Sequence, residues 1–179
     1  DEAAAVLRVA PSDPEAPLIL AASAAPDPDA QRRARDLLHA LPDTASAPVL
    51  VALGVIDLRA GRVAAAEAAF HHALRADPRF APAHHSLGML RWAHGDLNSA
   101  GAAFRDAAEV SQPYSPFREK HARFLLLTGN LADAQRLAAE ATTGTPDHLP
   151  SWILRAECSA AGADLAAAEA HLKEALRRD

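Results

Sequence analysis

Glycine returns at a fixed step in this chain: Gly61, Gly95 and Gly129 stand 34 residues apart. A step of that length marks a stacked-helix array, in which each unit of two helices buries its apolar face only against its neighbours. Four further columns keep the same register. They are Gly54, Gly88, Ala122 and Ala156; Ala66, Ala100, Ala134 and Ala168; Phe70, Phe104, Ala138 and Leu172; and Ala73, Ala107, Ala141 and Ala175. Five columns in one phase exclude chance, and they predict an all-α chain without β-strands.

The columns have separate physical meanings. Helices that cross closely need small side chains at the crossing, because larger ones hold the axes at the ordinary spacing of about 8–10 Å. Gly54, Gly88, Ala122 and Ala156 take that place on the first helix of each pair, and Ala66, Ala100, Ala134 and Ala168 answer on the second. Leu50, Leu53, Phe70, Leu87, Phe104, Leu131, Trp152 and Leu172 lie at helical spacing and fill the spaces between pairs. Turns are expected near residues 26–28, 60–62, 94–96, 128–130 and 162–164. Gly61, Gly95 and Gly129 supply the left-handed conformation that closes a first helix, and Asp96, Asn130 or Asp164 caps the following second helix. Pro78, Gln112 and Pro146 stand just past the second helices, where proline stops a helix from continuing.

The identity of these columns resembles the tetratricopeptide repeat, whose pattern runs through Leu-Gly, an aromatic, Ala-x-x-x-Phe and a closing proline. The resemblance covers residues 47–80, 81–114, 115–148 and 149–179. It implies an all-α solenoid of stacked antiparallel helix pairs in a right-handed superhelix, with residues 1–179 as a single array. Residues 14–46 read as a degenerate repeat, with helices over 15–25 and 29–41 and with Ala34 and Leu38 in the Ala and Phe columns. Residues 1–13 read as the end of a preceding second helix closed by Pro11. The register starts and stops inside a repeat, so the sequence is expected to be a window from a longer protein.

Composition narrows the function classes. Net charge is −5, from 18 basic and 23 acidic residues without a basic block, which argues against a nucleic-acid partner. No apolar stretch approaches the ~20 residues of a membrane helix, so no membrane insertion is expected. A single cysteine, Cys158, excludes an internal disulfide and any paired-cysteine metal site. No phosphate loop, His-Glu-x-x-His or Gly-x-Ser-x-Gly motif occurs. The doublets His71-His72 and His84-His85 cannot chelate alone, since adjacent helical residues point about 100° apart. No cofactor and no catalytic residue is expected. His121 is unusual because it stands in the column of Leu53 and Leu87, where a buried imidazole stays neutral.

In the family this chain resembles, first helices line a concave groove. Carried over, the groove positions are Val51, Val55, Leu58 and Arg59; His85, Met89, Trp92 and Ala93; Glu119, Arg123, Leu126 and Leu127, with Lys120 beside them; and Ile153, Glu157, Ala160 and Ala161. Met89 and Trp92 are the expected centre, since a tryptophan offers area with an indole donor and methionine adapts to a partner's shape, and the equal alternative for Trp92 is packing between neighbouring first helices. Arg59, Lys120 and Arg123 are expected polar guides. The carboxylate clamp of chaperone-binding relatives is rejected: its counterparts are Val51, Val55, Ser86, Pro116 and Lys120, and only the lysine keeps the chemistry. These readings lead to a non-catalytic scaffold for a protein or peptide. The alternatives are a repeat region of a larger enzyme or secretion or assembly component, and a self-association module forming a homo-oligomer.

Overall fold

The computed structural model describes residues 13–24, 27–111 and 115–178. Among them the chain forms ten α-helices and no strand. They are α1 (Ala16–Ser23), α2 (Pro28–His39), α3 (Ala47–Arg59), α4 (Val63–Ala76), α5 (Ala81–Ala93), α6 (Leu97–Val110), α7 (Pro116–Leu127), α8 (Leu131–Gly144), α9 (Leu149–Ala161) and α10 (Leu165–Leu176). The breaks after α3, α5, α7 and α9 fall at the expected turns. The expected terminal helix over residues 1–13 and part of the first turn lie outside the described residues. α2 starts on Pro28, a residue suited to a first helical position, and ends at His39, earlier than the sequence pattern implies.

The four regular turns share one backbone device. Gly61, Gly95 and Gly129 have φ of 75°, 79° and 85°, and Ala163 adopts φ 61° in the same column. The next residue caps the second helix in three of them. Asp96 accepts from the Ser99 amide at 3.1 Å, Asn130 from Asp133 at 3.4 Å and Asp164 from Ala167 at 2.9 Å. Each satisfies one of the orphan amides of a helix N-terminus.

The chain divides into two compact units, residues 1–90 and 91–179, with the boundary inside α5. In the first unit α1 and α2 pack on α3, and α3 packs on α4. Its core gathers Leu20, Ala34, Leu38, Val49, Ala52, Leu53 and Ile56. The small column works as expected: a Cβ at Gly54 would lie 2.5 Å from Cε1 of the buried Phe70 ring. A polar cluster lies at the edge of this core, where buried Asp57 accepts from Arg35 and from the exposed Arg62 through Nε at 3.0 Å. This ties α2 and the α3–α4 turn to α3.

In the second unit consecutive helices from α6 to α10 pack in series. Ala100, Phe104 and Phe124 form one buried cluster, with Trp92 and Leu125 against it. Ala122, Ala134, Ala138, Leu154 and Cys158 form another. Leu172 departs from its expected core role. It is 47% exposed, because α10 packs on α9 and its other side carries Leu165, Leu172 and Leu176 into solvent.

Candidate functional site

The first-helix face of the second unit is built on α7 and α9. Ser115 caps α7, its Oγ accepting from the Phe117 amide at 3.4 Å, and Pro116 opens the helix. Residues four apart on a helix share a face, so Glu119, Arg123 and Leu127 align along α7 as Ile153 and Glu157 do along α9. Arg123 joins the two rows. Its guanidinium donates to Glu157 at 2.8 Å and stands 3.5 Å from Glu119. Leu127 is 64% and Ile153 37% exposed beside this ion pair. Lys120 lies with its ammonium 5.0 Å from the Phe117 ring centroid, and burial lowers its pKa, since a desolvated ammonium is less favoured. Four expected groove residues, Glu119, Arg123, Ile153 and Glu157, thus occupy one surface, and Arg123, expected as a polar guide, is already engaged by two carboxylates.

The remaining candidates are distributed differently. In the first unit Val51 is 1% exposed and presents no side-chain surface, while Val55 is half-buried against the core. Arg59 donates to the Ala21 carbonyl in the last turn of α1, satisfying a group that the helix itself leaves unpaired. His85 is half-buried, and Met89 is 44% exposed. Trp92 is half-buried in the second unit. Its ring meets Phe124 edge-on at 5.4 Å and Phe104 at 6.2 Å, so it anchors the core cluster there.

Among the described residues no group of three or more His, Cys, Asp or Glu side chains could hold a metal ion. His84 Nε2 is 2.9 Å from the Pro78 carbonyl, and His71 is 3.9 Å from Glu67. Cys158 is buried, and burial raises its thiol pKa, which disfavours the thiolate a nucleophile requires. The sequence reading missed the Arg35–Asp57–Arg62 cluster, whose members share no column. It did single out His121, which lines an open cleft of the second unit together with Arg105, Arg118 and Arg136.

No protein-family model and no curated protein matches the chain. Solved structures do. The Cut9–Hcn1 hetero-tetramer of the APC/C matches with a TM-score of 0.74 at 18% identity, over 97% of this chain and 33% of that one. PilW, described as a widely conserved type IV pilus biogenesis factor, matches at 0.69 and 20%, over 94% and 79%. YrrB, described as a TPR protein with an unusual peptide-binding site, matches at 0.62 and 17%, over 100% and 93%. At these identities the likeness is one of fold, and the fold is the all-α helical repeat of tetratricopeptide-repeat proteins.

Proposed function

We propose that this chain is a non-catalytic scaffold that binds a protein or peptide on its first-helix face. The observation that carries the reading is the Arg123–Glu157 bridge, with Leu127 and Ile153 exposed on either side of it. Arg123 stands between two carboxylates and Lys120 supplies the second cation, so the surface gives a ligand no net charge to meet and affinity rests on the two apolar side chains. A short segment with apolar anchors, helical or extended, suits such a surface. Because the bridge is preformed, little side-chain ordering remains to be spent on binding. The peptide-binding site in the description of YrrB supports the same class of function.

The test is capture of partners on the purified chain, identification of the bound peptide, and calorimetric titration of that peptide. Leu127→Asp with Ile153→Asp should weaken it by about tenfold or more, as loss of hot-spot contacts does. Arg75→Ala, on the exposed side of α4, should leave affinity unchanged. Equal affinity of all variants would remove the proposed surface. Self-association is the second reading, favoured by the exposed Leu165, Leu172 and Leu176 of α10. Light scattering over a concentration series, with Leu172→Glu as control, separates it from the first.

A further inference from the structure

A cleft in the second unit lies among α6, α7 and α8 and shares no residue with the surface assigned to the peptide above. Arg105 and Glu109 reach it from α6, Arg118 and His121 from α7, and Arg136 and Glu140 from α8. An adjoining hollow shares Arg105, His121 and Arg136 and adds Asp133 from α8 with an apolar wall of Leu97, Phe124 and Leu125. Part of this charge is satisfied internally. Arg136 donates to Glu140 at 2.8 Å and to Asp133 at 3.3 Å, and Asn130 donates to Asp133 at 2.9 Å. Arg105 makes no ion pair among the described residues, and Arg118 Nε is buried without a hydrogen-bond partner. Neither the Arg105 nor the Arg118 guanidinium is committed to a carboxylate among the described residues, so an arriving carboxylate can gain charge-assisted hydrogen bonds from both. His121 completes the set, standing where Leu53 and Leu87 stand in the earlier repeats.

We propose that this cleft binds the carboxylate side chain of an acidic peptide segment, with Arg105 and Arg118 donating to it and His121 beside it. The apolar wall favours a segment in which acidic and aliphatic residues alternate, over a free anion. Burial, then Arg105, disfavours the imidazolium of His121, with Arg136 adding to the effect and Asp133 and Glu109 opposing it. A bound carboxylate reverses this balance, because an adjacent negative charge favours the protonated ring. Of the side-chain types facing His121, which are Arg105 and Glu109 on α6, Arg118 on α7, and Asp133, Arg136 and Glu140 on α8, only the imidazole titrates near neutrality. Binding therefore tightens as pH falls from about 7.5 to about 6.

The probe is a hexapeptide of alternating leucine and glutamate, titrated calorimetrically against the whole chain, with a leucine–glutamine counterpart and inorganic phosphate as further arms. The glutamate peptide should bind about tenfold or more tighter than its glutamine counterpart, as a charge-assisted pair requires. Arg105→Ala should weaken it, and Glu109→Gln should tighten it by removing an opposing carboxylate. His121→Leu restores the side chain of the earlier repeats and should abolish the pH dependence while helix content is retained. Equal binding of the two peptides, an unchanged affinity in Arg105→Ala, or equal losses in Arg105→Ala and in Arg75→Ala would overturn the assignment. Displacement of the peptide by phosphate at equal concentration would also overturn it, assigning the cleft to a small anion.

Discussion

Two glycine columns of the same period are held in place by different forces. A Cβ at Gly54 would press into the Phe70 ring, so space forbids it. Around Gly61, Gly95 and Gly129 a Cβ would meet nothing within 4 Å, and only the positive φ selects glycine. Ala163 adopts that φ with a side chain, in a backbone region costing an L-residue about 1–2 kcal/mol, against roughly 0.5–1 kcal/mol of glycine flexibility lost on ordering. Ala163→Gly should therefore stabilise the chain by about 0.5–1 kcal/mol; an unchanged or lower denaturation midpoint would show that the fourth turn bears no strain. His121 and His171 have pKa values lowered first by burial, so the unfolded chain binds protons that the folded chain refuses. Stability therefore falls as pH drops below the unfolded imidazole value of about 6.5. Denaturant midpoints between about pH 7.5 and 5.5 should show a shallower decline in His121→Leu than in the parent chain, and parallel curves would exclude a folded-state cost at this ring.

At the scale of helices and their contacts, the second unit depends on one aromatic cluster. Phe104 and Phe124 are 4.8 Å apart at a 45° tilt, Trp92 meets both edge-on, and fully buried Ala100 lies beside them. Ala100→Leu adds three heavy atoms to a site with no room and should cost ~1–3 kcal/mol in chemical denaturation. Trp92→Ala should cost about 3 kcal/mol, the lower end for an aromatic truncation, because the ring is only half-buried. A loss below about 1 kcal/mol would mean that its edge-on contacts contribute little. Ala100 was legible in the sequence because a steric demand at a helix crossing recurs in every repeat. For Trp92 the sequence left packing and binding equally open, since register gives a helix face and says nothing of how far a large ring reaches from it. Glu119, Arg123 and Glu157 were each read as groove residues; Arg123 and Glu157 share a column, 34 residues apart, and only the rotamers that close the bridge lie outside the register. The Arg35–Asp57–Arg62 cluster was invisible for a related reason: it occurs once, where Arg35 of the degenerate repeat meets Asp57 and Arg62 of the first regular one, and leaves no period behind.

Over the whole molecule, a chain built from one repeated helix pair has contacts that are mostly local in sequence. In such arrays stability is approximately a sum of repeat terms and nearest-neighbour interfaces. The all-α class and the turn positions were legible for that reason, because each rests on interactions that recur at the same step. Gly54 and Phe70 connect α3 with α4 inside the first unit, whereas Ala122, Ala134 and Leu154 belong to a core of the second. Gly54→Ala forces the Phe70 ring to move and should cost roughly 1–3 kcal/mol, felt first by the helices that enclose that ring. Native-state hydrogen exchange resolves such local openings, since protection varies from one cooperative segment to another. Under native conditions, amides of α3 and α4 should exchange faster in Gly54→Ala by a factor of about five or more, while those of α8 and α9 change by less than about twofold. Uniform acceleration over all these helices would mean that the chain opens only globally, and that its two units do not hold separate shares of the stability.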